Sequence, residues 1–402
     1  MSRAYIFKQD PSALEIDTIR LMYTPFRIQD GPSDDRVVVD SGVKVRGDAR
    51  GDFLIERDSK EKKKAFDAVH LFMVIRQIIT MYDRSLGRLA DSPAKIRIRN
   101  VQWQWGTDSQ IRVYPHAGLD KNAYYSREEK ALKFFYFASK KKQGKATYTC
   151  RSYDVVAHEV GHAVLDGLLP GYLESWQPET GALHEAFGDI TVILGLLSQL
   201  DQCEAIIAHS KGDLHAKSFF SAIAEQFGEA KYGHRMGLRN ADNDLRLDQV
   251  SEHVHDLSQV FTGAFYDITA DIFEVKQNST KFDDAHVLWE VGQHMCDLLL
   301  AALLKGPQVN ATFGDIANQM LRLERNKENQ ILMRHQFNTR RILGPQAIEA
   351  AKKPSETVTS SLWQSCHCAL STKEHLDMVK SAIQKKRLQQ QGWLARGRGS
   401  GK

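Results

Sequence analysis

Residues 154–166, DVVAHEVGHAVLD, decide how the rest of the chain is read. Wound as an α-helix, the stretch puts His158 and His162 one turn apart on one face, so two imidazoles can reach one metal ion while Glu159 projects beside them. Val156, Val160, Ala163 and Gly167 recur at i, i+4, i+7 and i+11 on the opposite side, which leaves one face for packing and one for ligands. A catalytic zinc takes three protein ligands and keeps a fourth position for water. Downstream, residues 181–189 read GALHEAFGD. There Leu183, Phe187, Ile190 and Leu194 keep helical apolar spacing, and Glu185 and Asp189 lie i, i+4 on another face. Glu185 is then the third ligand, and Asp189 the receiver of the far N–H of a ligating histidine. The alternative is a pair of surface acids on an amphipathic helix, and the preceding HExxH argues against it.

Outward from these two blocks the chain changes character near its middle. Residues 37–45 and 96–105 (IRIRNVQWQW) alternate β-branched and aromatic residues, the pattern of half-buried strands, and 131–138 (ALKFFYFA) reads as a further strand. Between the first two, 62–82 has helical spacing. The KKKQGK run after 138 reads as a solvated turn. From 154 onward the expected elements are helices, over 154–169, 181–198, 215–227, 258–275, 284–304 and 312–326. No internal repeat is found.

The chain has 402 residues, 42% hydrophobic and 26% charged, with 10 prolines, a composition that excludes a largely disordered or collagen-like protein. Its net charge of +4 over that length gives no field that selects nucleic acid or anionic lipid, and Trp103 and Trp105 are read as strand packing because no basic groove accompanies them. The longest unbroken apolar run, 298–304, is far short of the roughly 20 residues of a bilayer span, so no membrane span is expected. Lys8, Asp10 and Glu15 interrupt any signal-peptide core. Five cysteines are few and odd in number, which argues against a disulfide framework. The expectation is a cytoplasmic protein, with export by another route left open and the oligomeric state undetermined. Cys366, His367 and Cys368 alternate too closely to fold back on one ion.

These motifs resemble the thermolysin-like zinc metallopeptidases, gluzincins with HExxH and a downstream Glu. DVVAHEVGHAV and GALHEAFGD are similar to that family's two zinc-binding blocks. The resemblance implies His158, His162 and Glu185 as Zn²⁺ ligands, Glu159 as acid and base, and Asp189 as the carboxylate behind a ligand. Residues 121–125, KNAYY, are similar to the substrate-binding edge strand, which implies that the Asn122 side chain and the Ala123 backbone hold an extended peptide. Residues 254–266, VHDLSQVFTGAFY, resemble the segment with the catalytic histidine, which falls on His255. GLR at 237–239 resembles the stretch bearing an arginine that grips a substrate carbonyl, here Arg239. Two positions depart from the pattern. An ungapped count puts Trp176 where the family has an oxyanion-stabilising tyrosine, and Val250 where an acid would orient His255, with Asp248 or Glu252 as substitutes.

The resemblance implies an α+β fold: a two-lobed zincin with a mixed β-sheet N-lobe, a mainly helical C-lobe and the active-site helix between them. The expected units are 1–170, with the sheet, the edge strand and the HExxH helix; 171–385, mainly helical; and 386–402, a basic flexible tail. The expected activity is that of a zinc-dependent endopeptidase acting on a peptide or protein substrate. Zinc lowers the pKa of a water it holds towards about 7, and Glu159 accepts the proton as that water attacks the peptide carbonyl. His255, with the Trp176 indole N–H, stabilises the resulting oxyanion. A catalytically weakened zinc protein that binds peptides, or acts as a latent or regulatory module, is the alternative.

Overall fold

A computed structural model of the chain describes residues 1–9, 19–91, 110–138, 146–175, 177–216, 218–224, 238–278, 281 and 283–344. The strand expected over 96–105, the charged turn after 138, Trp176, the Cys366–Cys368 triplet and the 386–402 tail lie outside these residues.

Strands β1 (Ser2–Phe7) and β2 (Ile19–Thr24) pair antiparallel, from Ser2↔Thr24 to Phe7↔Ile19. A mixed four-stranded sheet follows, of order β3-β4-β6-β5, made of β3 (Val37–Val39), β4 (Ile111–Tyr114), β5 (Ala123–Ser126) and β6 (Ala131–Phe134). The β3–β4 and β4–β6 pairs are parallel and β5–β6 is antiparallel, so β5 lies at an edge. The strand expected over 37–45 ends at Val39, ahead of a bend at Gly42, whose φ of +67° suits a residue without a Cβ. The run expected as one strand over 131–138 divides at Phe135, whose N–H donates to Asn122 O and Thr149 Oγ1. Beyond it, β7 (Tyr136–Ala138) turns to a new partner, β8 (Ala146–Tyr148).

Helix α1 (Lys60–Asp91) outruns its expected span, with Phe66, Val69, Phe72, Met73, Ile75 and Tyr82 in the core. Helix α2 (Tyr153–Leu168) carries HExxH and is capped by Ser152, whose side chain accepts the Val155 N–H. Helix α3 (Pro178–Leu197) starts with proline, whose missing N–H costs nothing in a first turn. Helix α4 (Leu200–Ser210) follows. The helix expected over 215–227 does not form in its described part, where turns lead into the short strand β9 (Ala222–Ile223), paired with β10 (Arg239–Asn240). Asp213 Oδ1 takes the His215 N–H and Ser218 Oγ the Phe220 N–H, local bonds that compete with a helical ladder. Helices α5 (Val254–Lys276), α6 (Asp284–Lys305), α7 (Phe313–Leu323) and α8 (Lys327–Thr339) complete the described chain. Helix α5 begins earlier than expected, so His255 stands in its first turn.

The fold mixes helix and sheet, and one contiguous apolar cluster runs through it from Ala4 to Ile342. Counting unbroken runs understated three helices: α1, α3 and α6 each hold a window long and apolar enough to cross a membrane. In this fold those windows are 89%, 100% and 67% buried within the protein, and core packing accounts for their apolar content.

Candidate metal centre

The two motif helices, α2 and α3, cross at a pair of glycines. A Cβ at Gly161 would stand 2.7 Å from Thr191 Oγ1 and 3.0 Å from the Gly188 Cα, and a Cβ at Gly188 would stand 2.6 Å from the His158 ring. Glycine at both positions therefore lets the helices approach until the imidazoles of one meet the carboxylate of the other. His158 and His162 lie edge to face with ring centroids 4.6 Å apart and their Nε2 atoms at 3.0 Å. Glu185 reaches in from α3, with one oxygen 3.6 Å from His158 Nε2 and the other 3.7 Å from His162 Nε2. All three side chains are buried, and their donor atoms lie within 4.8 Å of one another.

Behind the donors sit the groups that orient them. His158 Nδ1 is 2.9 Å from Asp189 Oδ1 and donates to it, which leaves Nε2 as a lone pair. Arg239 Nε and Nη2 donate to the same carboxylate at 2.7 and 2.6 Å. Burial pushes the Asp189 carboxyl up, but Arg239 and His158 outweigh it and hold its pKa below the ordinary range. His162 Nδ1 lies 2.7 Å from His184 Nδ1, with the rings stacked at 4.9 Å and 22°. Burial and the neighbouring His162 push His184 well below the usual imidazole value, so it is neutral and its Nδ1 can accept a proton from His162 Nδ1. With that proton on His162, both Nε2 atoms are lone pairs, facing each other and a carboxylate in a buried site. That donor set calls for a cation. Donor separations of 3.0, 3.6 and 3.7 Å bracket the roughly 3.3 Å expected between ligands of a tetrahedral zinc with bonds of about 2.0–2.1 Å.

Glu159 lies on α2 beside these donors, fully buried, and its Oε2 accepts the Tyr125 N–H of β5 at 3.1 Å. The edge strand is therefore locked against the HExxH helix. A second tie reinforces it: Tyr125 Oη donates to Asp166 Oδ2 at 2.7 Å, and Arg127 Nε donates to both oxygens of the same buried carboxylate at 2.9 Å. Asn122 and Ala123 stand at the start of this strand, both 2% exposed, and the Asn122 carboxamide oxygen accepts the Ala123 N–H at 2.9 Å. Phe135 N–H bonds Asn122 O, so by the alternation of an antiparallel pair the Ala123 and Tyr125 backbones face away from β6.

His255 enters from the first turn of α5, with Nε2 3.3 Å from Glu185 Oε2, and its side chain is 17% exposed. His253 stacks on it at 5.1 Å and 23°, and burial together with His255 lowers the His253 pKa. Of the acids considered as its partner, Asp248 pairs instead with Arg246 and Arg341. Arg239 sits on Asp189, behind the candidate ligands, where the resemblance implied a grip on a substrate carbonyl.

Sequence reading did not single out His184, Tyr125, Arg127 or Asp166 for roles at the site. His184 carried a signal, since it adjoins Glu185 inside GALHEAFGD. Two further groups could bring ligand atoms together: Asp67, His116 and Cys150, and His215, Asp242 and Asp267. In the first, Asp67 takes Arg151 Nε and Nη2, both at 2.8 Å, and in the second Asp267 pairs with Arg340, while Asp242 pairs with His215 within the group itself.

No family profile and no curated protein sequence matches this chain. Among solved structures, the precursor of protealysin, a metalloproteinase from Serratia proteamaculans, is similar at a TM-score of 0.48 and 12% identity, over 80% of this chain and 89% of that one.

Proposed function

We propose that this chain is a zinc-dependent endopeptidase acting on protein or peptide substrates. The observation that carries the proposal is the convergence of His158, His162 and Glu185 within 4.8 Å, with Glu159 on the same helix and bonded to the edge strand β5. Zinc held by the two histidines and Glu185 would supply Lewis acidity and lower the pKa of a bound water towards about 7. Glu159, one residue from a ligand, is placed to take the proton from the attacking water and return it to the leaving amine. His255, beside Glu185 and partly open, donates to the carbonyl oxygen as charge develops there, with Trp176 as a second donor through its indole N–H.

An extended peptide lies along β5 as an added strand, paired with the outward-facing Ala123 carbonyl, since Asn122 Oδ1 already takes the Ala123 N–H. Asn122 shapes that edge, and Arg239 steadies Asp189, through which it acts on His158. The apolar helices α1, α3 and α6 are core elements in this reading, on the strength of their burial.

Metal content and cleavage of an unstructured protein such as casein test the proposal, in wild type and Glu159→Gln. Both proteins should hold about one zinc, only wild type should cut, and a chelator should stop it. Wild type that binds zinc and cuts no peptide would overturn the peptidase and favour a peptide-binding zinc protein. Wild type that binds no metal would overturn both.

A further inference from the structure

A cavity of about 570 Å³ opens away from the metal centre, between β2, α1, the turn from Ser198 to Asp201, and α6. It shares no lining residue with the His158, His162 and Glu185 cluster. Its volume falls in the range of sites that take small molecules, roughly 300–1,000 Å³.

The charge of its walls is one-sided. Arg20, Arg76, Arg84 and Arg88 line it against a single acid, Asp201. Three of these guanidinium groups are anchored by carboxylates: Arg20 on Asp201 at 2.6 Å, Arg76 on Asp34 at 2.5 Å and Arg88 on Asp297 at 2.7 Å. Arg84 has no ion pair among the described residues. The anchored groups are also incompletely used. Arg20 Nε and Arg76 Nη1 are buried N–H groups without an acceptor, and Arg76 is only 7% exposed. On the same walls the Oε1 atoms of Gln77 and Gln199 are buried acceptors without a donor. Buried donors and acceptors left unmade are costly; these four atoms are themselves shielded from the open cavity and meet a ligand there only when their side chains turn toward it.

The remaining wall is flat and apolar. Trp289 and Phe26 line it, with the Arg76 guanidinium 4.2 Å from the centre of the Phe26 ring. At the mouth, Leu21 and Tyr23 of β2 are 50% and 61% exposed, unusual for large apolar groups on a strand.

We propose that this cavity is a second binding site, for an organic anion with a planar body and an N–H donor. The anionic group, carboxylate or phosphate, meets Arg84 and the spare N–H groups of Arg20 and Arg76, reached by a small rotation of each guanidinium. The planar body lies against Trp289, and the N–H donor turns to Gln77 and Gln199. The site is independent of the metal and of peptide hydrolysis.

Calorimetric titration of the full-length protein as isolated tests this with three probes. N-acetyltryptophan carries all three features, N-acetyltryptophanamide differs only in lacking the charge, and phenyl phosphate offers phosphate in place of carboxylate. N-acetyltryptophan, phenyl phosphate or both should bind one to one in the micromolar to millimolar range. The amide should bind about 10- to 100-fold more weakly than the acid, the loss expected for one charge-assisted contact. Arg84→Gln, an exposed and unpaired position whose exchange leaves folding intact, should weaken the anions by a similar factor and leave the amide unchanged. Trp289→Phe should weaken all three. No saturable binding of either anion overturns the proposal. So does binding that Arg84→Gln leaves intact, or binding that His162→Ala abolishes, which would place the anion at the metal centre instead.

Discussion

At the scale of single residues, the candidate centre depends on which nitrogen of each histidine carries the proton. Asp189 takes the Nδ1 proton of His158, and His184 does the same for His162, so both Nε2 atoms point inward as ligands. Asp189 was legible in the sequence because an acid four residues after Glu185 must share its face. His184 was not, because a histidine next to a ligand on a helix points elsewhere unless a partner helix lies there. Removing it should show in metal affinity. His184→Ala is expected to weaken zinc binding about 10- to 100-fold in a chelator competition, while His184→Asn, whose carboxamide oxygen can accept the same proton, should retain most of it. Equal losses in the two variants would mean that packing, and not proton acceptance, is what His184 supplies.

Between elements, the decisive contact is the crossing of α2 and α3. Gly188→Ala would put a methyl carbon 2.6 Å from the His158 ring and push the imidazole off its position. Overpacking of this kind costs about 1–3 kcal/mol, and the metal should be held at least about tenfold more weakly even where the variant folds, as metal titration followed by circular dichroism can show. The helices of the second half are joined by a different kind of contact. Glu324, just past the end of α7, receives His294 Nε2 of α6 at 2.6 Å, its Oε1 accepts the Asn326 N–H at 2.8 Å, and Asn329 Nδ2 of α8 donates at 3.2 Å. Burial raises the Glu324 carboxyl, but His294 and the Asn326 N–H outweigh it and bring the pKa down to about 2. A depressed carboxyl contributes stability that is present above its unfolded value, about 4.5, and is lost as pH falls towards about 2. Glu324→Gln should therefore lower unfolding stability by about 1–2 kcal/mol at pH 7, and the gap to wild type should close between about pH 4.5 and 2 in denaturant titrations.

For the molecule as a whole, a metal bound at His158, His162 and Glu185 ties α2 to α3 at the middle of one continuous core. Removing it leaves two imidazoles and a carboxylate facing each other in a buried site, so the metal-free protein should melt several degrees lower than the zinc-loaded one, with the difference growing with free zinc as mass action requires. A melting temperature indifferent to zinc and chelator would sink the metal reading. The sequence alone determined the two motif helices, their four inward groups and the place of Glu159 between them, because helical periodicity converts spacing into a shared face without help from the rest of the chain. Composition likewise determined that a large mixed core would form. Tertiary structure decided what no local rule contains. The described part of the 215–227 segment became turns and a short strand because Asp213 and Ser218 captured nearby N–H groups. Helices α4 and α8 formed in polar stretches because Cys203 and Ile206, and Met333 and Phe337, met apolar neighbours. The placing of Tyr125 against Glu159 and of Arg239 behind Asp189 joins residues 34 and 50 positions apart, and the four arginines around the cavity come from two elements, β2 and α1; such contacts follow from how the elements pack rather than from the order in which they occur.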